Sequence, residues 1–194
     1  MKKQVLGALL ATLCTAQAAM ANEAPNWNTV EAGYIDADIQ YDIQADGFKV
    51  GGTYLLNENF FVLGEYNRVR DGLNGTNSTW EFDIWNVGVG YRTQIMTGTD
   101  FYVSLAYEEM DVNLTNAYGS GGIDGYSGKV GIRTMWSNDI ETDVAIGHLE
   151  YDDYSEFLYE AKAYYHFNDS FAVGLAYRDV DQHNFSSIVA KYSF

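Results

Sequence analysis

Along most of this chain apolar and polar residues alternate with a period of two, the signature of extended strands whose two faces meet different surroundings. Three segments, 59–67, 100–108 and 170–178, share one pattern: Phe-x-Val-x-(Gly/Leu)-x-Tyr followed by a polar residue. A fourth, 139–147, keeps the phase with Ile140 in place of Phe. Short polar turns precede them at 57–59, 97–99, 137–139 and 168–169, rich in residues that accept left-handed backbone or bond their own main chain. Between these lie partner strands marked by Phe48 to Tyr54, Trp85 to Tyr91, Tyr126 to Ile132 and Phe157 to Tyr165. A first strand over 28–39 and a last over 185–194 bring the expected count to ten, with eight as the alternative. Each alternating core is about 8–11 residues, the length of a tilted strand that crosses a membrane.

The remaining connections, 40–46, 71–79, 113–124, 151–155 and 181–184, are longer and mostly acidic, so short turns and long loops alternate. That predicts an all-β fold: a closed antiparallel up-and-down barrel with both termini on the side of the short turns. Alternation alone does not say which face is outside, because a soluble barrel has the same period with its apolar face inward. Charge placement helps. Lys49, Arg92, Lys129, Arg133, Lys162, Arg178 and Lys191 share the phase opposite the aliphatic face, together with Glu31, Glu65, Glu108, Glu141, Asp143 and Glu160. Both signs interleaved with small residues predict a narrow lumen crossed by ion pairs. Gly33, Gly51, Gly88, Gly90, Gly131, Gly147 and Gly174 on that phase suggest room for water. The aliphatic face is edged by Phe60, Tyr91, Phe101, Tyr165, Phe171 and Phe194 at one level and by Tyr34, Tyr66, Tyr107, Tyr126 and Tyr177 at the other. Two aromatic rows bounding an apolar band are the girdles of a membrane interface.

The start of the chain reads as an address. Lys2 and Lys3 precede an apolar run too short to span a bilayer, and Ala19-Met20-Ala21 gives a small-x-small cleavage pattern. Residues 1–21 are therefore expected to be a signal peptide, and 22–194 the barrel domain. The single cysteine, Cys14, lies in the leader, so the exported domain needs no disulfide. The formal charge of −16, more negative still without the two leader lysines, argues against nucleic acid as a partner.

Ile188, Ala190, Tyr192 and Phe194 form one face of a strand that runs to an aromatic end. This stretch resembles the closing strand of bacterial outer-membrane barrels. The whole chain is similar in plan to the small Gram-negative outer-membrane β-barrel proteins of OmpA and OmpX type, with one extra hairpin. The resemblance implies export to the cell outer membrane, contact with its lipid and lipopolysaccharide, and insertion by the barrel-assembly machinery, with Tyr192 and Phe194 as the assembly signal. The resemblance says little about activity; the expectation is a monomer with a structural or surface-interaction role and at most a narrow pore. A small diffusion porin is the alternative, and an outer-rim hydrolase acting on lipid A or peptide the distant one.

Candidate chemistry is sparse. His148 with Asp152 or Asp153, and His183 with Ser186 or Ser187, are the groupings that could imitate rim hydrolases, but neither carries such a family's motif. The expectation is no enzyme and no cofactor. Asp36, Asp38, Asp42 and Asp46, and Glu150, Asp152, Asp153 and Glu156, gather carboxylates at two loops where divalent cations could be held through oxygen. Asn74 and Asn77 fit the glycosylation pattern only formally, and 119–122 reads as a flexible loop tip.

Overall fold

The structure, a computed structural model, describes residues 24–39, 43–72, 79–114, 120–151, 154–181 and 183–194. The expected signal peptide with Cys14 lies outside them, as do Asp42, Asn74, Asn77, Gly119, Asp152 and Asp153. The described strands are β1 (Thr29–Ile39), β2 (Ile43–Leu55), β3 (Phe60–Gly72), β4 (Thr79–Met96), β5 (Thr99–Leu114), β6 (Ser120–Met135), β7 (Ile140–Tyr151), β8 (Tyr154–His166), β9 (Phe171–Val180) and β10 (His183–Ser193). Each pairs with its neighbours in sequence, and β1 closes on β10, giving a ten-stranded antiparallel barrel.

The pairing is staggered. From Glu31 the ladder runs through Lys191 and Ala172 to His166 on β8. In the other direction it runs through Gly51, Glu65, Asn86, Glu108, Gly125 and Tyr151 to Tyr154 on the same strand. The two arrivals are twelve residues apart (154 against 166), so the strands tilt strongly and the barrel closes without a free edge.

The short turns form for local reasons. Asn57 accepts the main-chain N–H groups of Asn59 and Phe60, both at 2.9 Å, and Asn168 does the same for Ser170 and Phe171 at 3.0 Å. The β4–β5 turn uses Gly98, whose φ of 72° suits a residue without a Cβ.

The strands are longer than the membrane-crossing cores, from 10 residues in β9 to 18 in β4. Most of the extra length lies at the outer end, where acidic loops were expected. β2 begins at Ile43, β5 runs to Leu114, and Ser120, Gly121 and Gly122 are strand residues of β6, not a loop tip. The reason is a change of face. Between the girdles Val87, Val89, Leu105, Ile146 and Leu175 point outward and are exposed, which in water would form an untenable apolar surface. Above the outer girdle the outward phase carries Asp36, Asp46, Arg68, Arg70, Glu81 and Asp83, while Ile35, Ala37, Ala45, Val69 and Phe82 pack inside. Arg68 grips Asp83 through Nε and Nη2 at 2.6 and 3.0 Å, and the Tyr66 hydroxyl joins them. Burial works against the ionised Asp83 carboxyl, but hydrogen bonds from Arg68 and Tyr66 outweigh it and hold the group below its ordinary range.

On β9, Val173 and Leu175 face outward, while Ala172 is buried against Tyr164 and Val189. Val173→Arg is expected to cost about 2–4 kcal/mol if it lies near the bilayer midplane, and Val173→Leu almost nothing. Urea unfolding in lipid vesicles measures the difference; equal stability of the two variants would place Val173 away from lipid.

Candidate functional site in the barrel lumen

The lumen phase of the strands delivers charges of both signs to one interior. Each of its seven basic side chains has a carboxylate partner. Lys49 meets Glu65 at 3.0 Å, Arg92 meets Asp100 at 2.6 Å and Lys129 meets Glu160 at 3.2 Å. Lys162 lies 3.7 Å from Glu31, and Arg178 reaches Glu108 at 3.4 Å and Glu160 at 3.8 Å. The densest knot surrounds Glu141, which receives Lys191 at 2.7 Å, His166 at 2.8 Å and Arg133 at 3.3 Å. Arg133 also reaches Asp143 at 3.1 Å. Neutral donors complete the network: Tyr164 donates to Glu31, Tyr102 to Asp143 and Ser127 to Glu108. Glu141 and Lys191 are each 1% exposed and Glu108 is 0% exposed, so water does not reach them as it reaches the lining of an aqueous channel.

Below this network a cluster of rings stands in the lumen. Trp27 precedes β1 and turns into the barrel, where its indole N–H donates to Asp100 at 2.7 Å. Its ring lies 4.5 Å from Phe61 and 5.2 Å from Tyr102, with the Arg133 guanidinium 4.4 Å over its face. Thr53 donates to the Trp27 carbonyl at 2.7 Å and fixes the approach of the segment. The lumenal glycines serve these rings more than they serve water. Phe61 stands opposite Gly90, Tyr102 opposite Gly131 and Tyr164 opposite Gly174 in the ladder. A Cβ at those glycines would fall 2.2, 2.5 and 2.4 Å from the facing ring, so each glycine is the seat of an aromatic plate. This corrects the expectation of open space at Gly90, Gly131 and Gly174.

Among the described residues, the interior holds an inner and an outer cavity. The inner one, about 70 Å³, lies between the Trp27 plug and the charge layer. The outer one, about 120 Å³, is walled by the apolar residues above that layer. Glu65, Glu160 and Lys162 line both, so the charge layer is the partition between them.

Comparison with known proteins agrees with this architecture. The family model for the outer membrane protein β-barrel domain matches residues 6–191. The chain belongs to that family. Its place is therefore the outer membrane, the solvent that the exposed aliphatic belt requires. Among solved structures, the translocator domain of the autotransporter NalP from Neisseria meningitidis is similar at 10% identity with a TM-score of 0.50, covering 100% of this chain and 96% of that one. The KdgM porin gives 10% identity, a TM-score of 0.47 and coverage of 86% and 99%. Ail, the attachment invasion locus protein of Yersinia pestis, gives 13%, 0.46, and 86% and 96%. No curated protein matches the sequence.

His183 and its two serines stay apart at the rim of this outer-membrane barrel. His183 points inward and Ser186 outward, and Ser187 shares the inward phase but stands four residues along an extended strand, about 13 Å away. His148 lies on the exterior, where its Nε2 meets the Ser155 hydroxyl at 2.7 Å and its ring packs on Phe157. Asp152 and Asp153, the carboxylates expected beside it, lie outside the described residues. Asp36 faces Asp46 directly across the β1–β2 ladder, but among the described residues no three His, Cys, Asp or Glu side chains gather as a metal site. Sequence reading missed Trp27, Asp100, Phe61, Tyr102 and Tyr164. The signal was present in the doublets Phe60-Phe61, Phe101-Tyr102 and Tyr164-Tyr165, where a ring on each phase puts one inside.

The ion pairs make a testable demand. Lys49→Met leaves Glu65 without its nearest cation and is expected to destabilise the barrel by about 3 kcal/mol or more, whereas Lys49→Met with Glu65→Met recovers most of that loss. Equilibrium unfolding in lipid vesicles reads both; a single variant as stable as wild type would make the pair dispensable.

Proposed function

We propose that this outer-membrane barrel is a sealed scaffold, non-catalytic, that acts through its outer rim and its lipid contacts and passes ions poorly. The observation that carries the reading is the buried ion-pair layer standing over the Trp27 plug. An aqueous pore needs a continuous wet lining, and in this barrel the charges meet each other instead of water. Its partners on this reading are lipopolysaccharide and, at the acidic rim, divalent cations, with no role for nucleic acid and no cofactor. The runner-up is a small diffusion channel. It is favoured by the two cavities, which a rearrangement of Glu65, Glu160 and Lys162 would join. In planar bilayers the wild type is expected to give small, intermittent conductance below that of a general porin. Trp27→Ala with Phe61→Ala removes two plates of the plug and is expected to raise the conductance several-fold. A steady large conductance from the unmodified protein would put the channel reading first.

Assembly belongs to the same proposal. Phe194 presents its ring outward beside Tyr192 and Tyr54, at 6.0 and 6.4 Å, while its N–H donates to Asn28 across the seam. We read Tyr192 and Phe194 as the signal taken by the assembly machinery after signal-peptide-directed export. Phe194→Ser is expected to lower the fraction of heat-modifiable, membrane-inserted protein several-fold. Unchanged insertion would remove this part of the reading.

A further inference from the structure

We propose that the outer chamber is a binding site for a small uncharged amphiphile, of about single-ring size, seated with its hydroxyl on Asn67 and Arg178. The walls are buried and apolar: Ile35, Phe82, Leu149 and Val180 face one another across the lumen above the charge layer. The floor is polar and incompletely satisfied. Asn67 is 4% exposed; its amide donates to Glu65 at 3.0 Å, but among the described residues its Oδ1 has no hydrogen-bond partner. Arg178 Nε is likewise buried without a hydrogen-bond partner, its nearest carboxylate oxygen on Glu160 standing 3.8 Å away. Both residues line the chamber. One offers an acceptor and the other a donor, and a hydroxyl is the simplest group that answers both.

The charge of the floor sets the class of ligand. Lys49, Lys162 and Arg178 are already matched by Glu65, Glu31, Glu108 and Glu160. A carboxylate or ammonium head would enter this balanced layer as an uncompensated charge, whereas a neutral hydroxyl would not. Size sets the rest. The chamber of about 120 Å³ is comparable to the apolar cavities of about 150 Å³ that hold one benzene. Ile123 is exposed at the mouth, where a longer apolar tail would extend. The site is independent of whether the barrel conducts, because the ligand enters and leaves from the outer side.

The test uses the full barrel in lipid nanodiscs with para-fluorophenol as the probe, followed by fluorine NMR at neutral pH. Saturable binding above that of protein-free nanodiscs is expected. Ala176→Phe, which fills the chamber from β9, is expected to abolish it. Asn67→Leu is expected to weaken it by about tenfold, the loss of one hydrogen bond. Para-fluorobenzoate is expected not to bind. Heat-modifiable mobility checks that each variant is folded, and Val180→Phe replaces Ala176→Phe should the latter fail to fold. Uptake no greater than in protein-free nanodiscs overturns the site, whether lipid partition alone accounts for the probe or a segment of this chain occupies the chamber. Equal binding by the filled variants overturns its location, and tighter binding of para-fluorobenzoate overturns the neutral head.

Discussion

A barrel strand that leaves hydrocarbon for water must exchange its apolar face for its polar one, and this exchange governs the whole molecule. Between the girdles the wall can offer lipid only aliphatic and aromatic side chains, and every main-chain polar group must be paired around a closed ring. Charges on the alternate phase then have nowhere to go but inward. Above the outer girdle the same alternation continues, but Asp36, Asp46, Arg68, Arg70 and Glu81 now turn to solvent and Ile35, Val69 and Phe82 turn in. One continuous sheet therefore encloses a charged interior in the membrane and an oily one outside it.

The charged interior is stable only because it is nearly complete. Each ion withdrawn from water loses several kcal/mol of solvation, which its partner must return at close range. Glu141 between Lys191 and Arg133, with the His166 ring beside them, and Arg133 shared between Glu141 and Asp143, show how the return is arranged. Neutral hydroxyls from Tyr102, Tyr164 and Ser127 take up remaining lone pairs without adding charge. Such a network is intolerant of single losses and more tolerant of paired ones, because what destabilises it is the partner left behind.

The ten strands, the short turns and the phase of the aliphatic belt were legible in the sequence because they depend on residue type and period alone. The outer ends were not. Asp46 read as loop, since acidic and glycine-rich composition masks an alternation whose apolar partner, Ala45, lies on the face that the membrane segment had assigned to charge. The rings inside were hidden for a related reason. Phe61 and Tyr102 follow residues that belong to the girdle, and only the register opposite Gly90 and Gly131 reveals that a flat side chain fits on the lumen phase. Trp27 precedes the first strand, and nothing local to it specifies Asp100 or Arg133, seventy-three and more residues away, as its partners.

That distance bears on the order in which the molecule is built. The indole of Trp27 is held by Phe61 of β3, Asp100 and Tyr102 of β5 and Arg133 of β6. In a wall built from sequence neighbours, all four stand together only once β1 to β6, six of the ten strands, are joined. The segment ahead of β1 is thus a latch thrown after the wall has formed. Contacts that form after the transition state slow the escape from the native state far more than they speed its attainment. The plug beneath the charge layer is then also a timing device, lengthening the lifetime of a finished barrel whose formation it does little to hasten.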